Sequence, residues 1–102
     1  MKRIIDSKVY DNHILNQGAQ YQIERYYKPK EVSMSKRINI VLKELSPKPG
    51  ETILDAGCGV GTFAYHTAKK GTFAFGIDYS YESIKMAIKL NKKFNTSEKT
   101  PF

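Results

Sequence analysis

Ile53-Leu54-Asp55-Ala56-Gly57-Cys58-Gly59-Val60-Gly61-Thr62 is the stretch from which the fold can be read. Thr52-Ile53-Leu54 forms a short β-rich run that meets three glycines at alternate positions. A strand that turns into a helix through glycines lets a ligand approach the backbone with no Cβ in the way, and the first amides of the helix lack intrahelical partners. The spacing then narrows the ligand. A dinucleotide fingerprint places its third small residue five positions after the first. Counted from Gly57 that position is Thr62, and the third glycine stands one earlier, at Gly61. No Gly-Lys-Ser/Thr follows, so the loop is not of the Walker type. Asp55 at its mouth suits a ligand carrying positive charge better than a pyrophosphate.

On the carboxyl side, 62–70 reads as a helix, with Gly71 placed as its cap after Lys69 and Lys70. The apolar run 72–77 has strand length. Ser80 can cap a further helix with Glu82 in its first turn and Ile84, Ala87, Ile88 and Leu90 on its buried side. On the amino side, Met34, Ile38, Val41, Leu42 and Leu45 recur at spacings of three and four, which predicts an amphipathic helix over 31–45. Ser46-Pro47-Lys48-Pro49-Gly50 ends it. The order helix, strand, helix, strand, helix implies an α/β fold with a parallel sheet and right-handed crossovers. Residues 21–27 are expected to make two helical turns that stop before Pro29. Residues 1–20 show no sustained period, and Asn16-Gln17-Gly18 reads as a turn or loop, so a poorly ordered or loosely docked arm is expected there. The division is therefore an arm and cap segment over 1–30 and the α/β domain over 31–102, with the polar tail 95–102 as a connection.

The 102 residues fit one domain, and 40% hydrophobic content is ordinary for a globular chain. The net charge is +7. Its densest group, Lys85, Lys89, Lys92 and Lys93, recurs at roughly helical spacing and reads as a solvated helix face, leaving nucleic-acid contact as the minority reading. The one cysteine, Cys58, excludes an internal disulfide and a multi-cysteine metal site. Asp6 interrupts the apolar start before a signal-peptide core forms, and no run approaches the roughly 20 apolar residues that span a bilayer. A cytoplasmic protein is expected, with no membrane partner and no metal.

With these residues in view, the segment 53–62 resembles the first motif of class I S-adenosylmethionine-dependent methyltransferases, and Phe75-Gly76-Ile77-Asp78-Tyr79-Ser80 resembles their second. Asp78 follows Gly57 by 78 − 57 = 21 positions, close to the interval of about 20 for a ribose-binding acid in such folds. The resemblance implies a Rossmann-like sheet with flanking helices, of which this sequence carries the N-terminal portion only. It further implies that Gly57, Gly59 and Gly61, with Ala56 and Cys58 between and beside them, line the methionine part of S-adenosylmethionine. Asp55 would help hold the amino group, Asp78 would accept from the ribose hydroxyls, and Tyr79 would lie beside the adenine. Upstream, Tyr21, Tyr26 and Tyr27 occupy the region that folds over the cofactor in similar enzymes, Tyr27 being the residue taken as a contact.

Each of these residues also has a plainer reading. Asp55 and Asp78 can cap helices, Cys58 can simply fill a tight loop, and the tyrosine pair can be packing. His13 and His66 have no neighbours at metal-ligand spacing. Members of the resembled family have a larger sheet, whose later strands complete the adenine pocket and the acceptor site, and no catalytic residue is identifiable here. The sequence therefore reads first as a fragment, then as a subunit of a split enzyme or as a dimer pairing its sheet edges. The activity expected is methyl transfer to an acceptor that is a small molecule by default. A non-catalytic cofactor-binding module is the alternative, and an NAD-type oxidoreductase fragment is disfavoured by the early third glycine and by Asp55.

Overall fold

The computed structural model of the chain describes residues 7–94. The segment expected as a connection, 95–102, lies outside the described residues. In chain order the elements are α1 (Ser7–Gln22), a π-helical turn (Ile23–Tyr27), α2 (Val32–Leu45), β1 (Thr52–Ala56), α3 (Thr62–Ala68), β2 (Phe73–Ile77) and α4 (Tyr81–Lys93). No described helix is long and apolar enough to cross a membrane.

β1 and β2 pair in parallel through the crossover helix α3, with Thr52 opposite Phe73 and Ala56 opposite Ile77. This is the N-terminal portion of a Rossmann-like α/β arrangement. The register has a direct consequence. Because both strands end at the same level, the residues that follow them, Gly57 and Asp78, emerge side by side at the carboxyl edge, where ligands bind in open α/β sheets. Between the strands, Gly71 closes the turn after α3 with φ of 89°. The positive φ calls for glycine, and a Cβ there would also stand a tight 3.2 Å from the Pro49 side chain.

The sheet has two unlike faces. Ala74 and Gly76 are buried on the helix-covered face, alongside half-buried Ile53 and Asp55. The opposite face presents Leu54, Phe73, Phe75 and Ile77, between 41% and 63% exposed, with no covering element among the described residues. The core accordingly lies among the helices, where Ile23, Tyr27, Val60, Tyr65 and Leu90 cluster and Ile14, Met86 and Phe94 pack against them.

Residues 7–22 depart from the expected loose arm. They are helical, broken only at Gly18 (φ 78°, ψ 174°), where the sequence suggests a turn. The helix is held by tertiary contacts that no local period reveals: α1 lies along α4, and Asp11 Oδ1 accepts hydrogen bonds from Ser80 Oγ at 2.6 Å and from the Glu82 amide at 3.0 Å. In α2, Met34 and Ile38 are buried as expected, but Val41 and Leu45 of the same stripe are 39% and 45% exposed. α2 packs against α3, and Val41 and Leu45 stay exposed beyond that contact. In α4, Ser80 caps as expected, its Oγ accepting from the Ser83 amide at 3.2 Å. Ala87 and Leu90 are buried, whereas Ile88 is 49% exposed, because it sits one position, about 100°, away from the stripe that Ser83, Ala87 and Asn91 define.

Tyr27 ties these layers together. Its ring stacks on Tyr65 at 4.6 Å and on Phe94 at 5.6 Å between centroids. Its hydroxyl donates to the Val60 carbonyl at 2.6 Å and accepts from Asn91 Nδ2. Tyr27→Phe removes the donor to a buried carbonyl and the acceptor for a buried amide. It is expected to cost about 1–3 kcal/mol, read as a lower urea midpoint at unchanged slope.

Candidate functional site

The glycine loop is built by its connections to the end of β2. The Gly57 and Cys58 amides both donate to the Ile77 carbonyl, at 2.7 and 2.9 Å, and the Gly61 amide donates back to the Cys58 carbonyl at 3.0 Å. Asp78 completes the arrangement. One carboxylate oxygen accepts from the Gly59 amide and the other from the Ser80 amide, each at 2.8 Å. Gly57 and Gly59 have φ of 76° and 55°, and a Cβ on either would meet nothing within 4 Å, so both open onto free space. The loop amides of Gly57, Cys58, Gly59 and Gly61 are thus committed within the protein, rather than turned outward as the spacing alone suggests. A loop spent in this way is a poor cradle for a pyrophosphate.

The space in front of the loop is a cavity of about 430 Å³. Asp55, Gly57, Cys58 and Gly59 contribute to its lining from the sheet end, and Tyr10, His13, Gln17 and Tyr26 contribute from α1 and the π turn. Among the described residues, no lysine or arginine lines it. Asp55 is half-buried and has no hydrogen-bond or ion-pair partner among the described residues. Burial first, and then the nearby charge of Asp78, push its carboxyl above the ordinary range. Cys58 is buried, and its thiol is pushed up to about 12 by burial and then by the charges of Asp55 and Asp78. It therefore stays protonated and fills the loop, the plainer of its two readings. An uncompensated acid in a cavity without lysine or arginine is complementary to a cation.

Several expected site residues stand elsewhere. Ala56 and Gly61 do not line the cavity; Gly61 is the N-cap of α3. Asp78 and Tyr79 lie beside it at the strand end, and Tyr79 is 47% exposed, edge-on to Tyr10 at 5.7 Å. Tyr27 is 1% exposed and braces the loop from behind through Val60, so it does not reach the cavity; Tyr26 does. Tyr10, His13, Gln17 and Gln22 are lining residues that sequence reasoning missed. The signal was present, since Tyr10, His13 and Gln17 recur at spacings of three and four. No group of His, Cys, Asp and Glu among the described residues is arranged to hold a metal ion.

Comparison with known proteins identifies the family. A family model described as "Methyltransferase domain" matches residues 47–100, more than half of the chain. The chain belongs to this methyltransferase family, the one its two motifs resemble, and supplies an N-terminal part of it. Among relatives, it is 33% identical over 67 residues to the ubiquinone biosynthesis O-methyltransferase of Vibrio campbellii, covering 66% of this chain and 28% of that protein. It is also 33% identical over 75 residues to the 23S rRNA (uracil(1939)-C(5))-methyltransferase RlmD of Chromobacterium violaceum, covering 68% and 15%. The magnesium protoporphyrin IX methyltransferase of Synechocystis PCC 6803, solved with bound SAM, superposes over 100% of this chain and 56% of its own, with a TM-score of 0.62 at 21% identity, a likeness of fold. The chain spans less than a third of the length of the curated relatives it matches.

Two substitutions separate the roles of the acids. Asp78→Ala leaves the Gly59 and Ser80 amides without their acceptor and is expected to cost about 1–3 kcal/mol, a fall in Tm of roughly 5–15 °C by circular dichroism. Asp55→Asn should act in the opposite sense. The folded chain binds the Asp55 proton more tightly than the unfolded chain, so stability is lost as pH rises from the ordinary carboxylate pKa through the raised one. The asparagine variant should lack that loss, and urea titrations at about pH 4 and pH 7 would reveal it as a smaller difference between the two.

Proposed function

We propose that this chain is the cofactor-binding part of an S-adenosylmethionine-dependent methyltransferase. The observation that carries the reading is the unpaired, half-buried Asp55 beside Asp78, in a cavity whose described lining has no lysine or arginine. A ligand with an ammonium and a sulfonium group supplies the positive charge that this wall lacks. Bound there, the cofactor would present a methyl group made electrophilic by the adjacent sulfonium. In this reading Asp55 holds the amino group, and the committed glycine loop keeps side chains out of the methionine part. Asp78, already accepting one amide on each oxygen, has a lone pair left on each for a ribose hydroxyl. Tyr79 flanks the adenine, and α1 with Tyr26 excludes water from the opposite side. The reaction then depends on holding acceptor and methyl donor in line, which proximity and orientation favour.

The acceptor we infer is a small molecule. The described lining of the cavity, without lysine or arginine, supports this, because a nucleic-acid acceptor needs cations near its phosphates. The bare apolar sheet face at Leu54, Phe73, Phe75 and Ile77 supports a partner for the sheet, either further strands and helices of the same protein or a second chain.

Calorimetry with S-adenosylhomocysteine is expected to give a one-site isotherm. Asp55→Asn, which leaves the loop's hydrogen bonds intact, should weaken it about tenfold, the size of one charge-assisted contact. Heat with NAD and none with S-adenosylhomocysteine would defeat the reading.

A further inference from the structure

A second cavity lies away from the glycine loop, between α2, the π turn and the end of α3, with a volume of about 540 Å³. Its chemistry is the reverse of the first. Lys28, Lys69 and Lys70 line it together with His66, Ile38 and Leu42, and none of its described lining residues is acidic. Of the described lysines, Lys30 pairs with Glu24 at 2.7 Å and Lys85 with Glu82 at 3.5 Å. Lys28, Lys69 and Lys70 make no ion pair among the described residues.

Two of these ammonium groups are positioned by aromatic rings rather than left to wander. Lys28 Nζ stands 5.3 Å from the centroid of Phe94 and Lys69 Nζ 5.2 Å from that of Tyr65, both rings belonging to the cluster around Tyr27. The π turn fixes the back of the cavity through His66, whose Nε2–H donates to the Tyr26 carbonyl at 2.8 Å. Burial is the main cause favouring the neutral ring; the hydrogen bond to Tyr26 opposes it, and the charges of Lys69 and Lys28 add to it. Three lysines line this recess with no acid in its described lining, and a dianion answers that charge more fully than a monoanion. The recess is within the range of about 300–1,000 Å³ of small-molecule sites, and Ile38 and Leu42 give it an apolar side.

We propose that this cavity binds a small organic phosphate, its phosphoryl group among Lys28, Lys69 and Lys70 and its organic part against Ile38 and Leu42. This site stands apart from the methyl-transfer reading, because it uses a different cavity and different residues.

The chain has two histidines, and each reports on one cavity: His13 lines the first and His66 the second. Titration with phenyl phosphate, followed by the histidine ring resonances in NMR at low salt, is expected to shift His66 and leave His13 in place. Inorganic phosphate should bind more weakly, for want of the apolar contact, and benzoate more weakly again, for want of the second charge. Lys69→Gln and Lys70→Gln should each weaken phenyl phosphate by about tenfold, the value of one charge-assisted hydrogen bond, with an unchanged circular dichroism spectrum. Both lysines are exposed at the end of α3, so a folded variant is expected; should either fail to fold, the benzoate comparison on the unaltered chain decides alone. An unmoved His66, or benzoate binding as tightly as phenyl phosphate, overturns the proposal. So does a short single-stranded RNA that shifts His66 at concentrations where phenyl phosphate does not.

Discussion

The carboxylate of Asp78 joins the glycine loop after β1 to the turn between β2 and α4. It follows the end of β2, takes the Gly59 amide from the loop after β1 and takes the Ser80 amide at the start of α4. Ser80 in turn donates to Asp11 of α1 while capping α4 for Ser83. A single hydrogen-bonded chain therefore runs from the glycine loop through both strand ends to the N-terminal helix. Charge-assisted bonds of this kind are roughly twice as strong as neutral ones, and they hold the loop open without using a ligand to do so. The geometry of the cavity depends on it: were the loop to collapse toward β2, neither Asp55 nor the glycines would face the space they now border.

The same network explains why the site is acidic. With four loop amides committed internally, what remains exposed to the cavity is the carboxylate of Asp55, desolvated and within reach of the charge on Asp78. Three lysines line instead the recess between α2 and α3, where the aromatic cluster seats two ammonium groups. A chain with a net charge of +7 thus presents two cavities of opposite character. Which charge lines which cavity is set by where the glycine loop and the C-terminal turn of α3 point.

Tyr26 and Tyr27 show how a shared sequence signal divides in space. Adjacent in the π turn, they face different ways: Tyr26 toward the loop cavity, Tyr27 into the core, where it supports the loop through the Val60 carbonyl. A positioning role and a lining role are thus held by neighbours that composition cannot tell apart. Ile88 and Val41 make the same point for helices, since an apolar residue at the edge of a stripe is buried only if a neighbour reaches that far.

The sequence by itself determined the alternation of helix and strand over 31–94, the glycine loop with its non-dinucleotide spacing, the acids Asp55 and Asp78, and the family. These follow from local physics: turn chemistry at Gly57 to Gly61, capping at Ser80, and the fixed interval between two parallel strands. The tertiary structure alone decided that residues 7–22 are a helix on α4, because its stabilising contacts to Ser80 and Glu82 lie 69 and 71 positions away. It also decided that the loop amides are spent on Ile77 and Asp78, that Tyr27 turns inward, and that one sheet face stays bare among the described residues. Each of these is a choice between partners distant in the chain, and periodicity records which residues can be buried, not what they will meet.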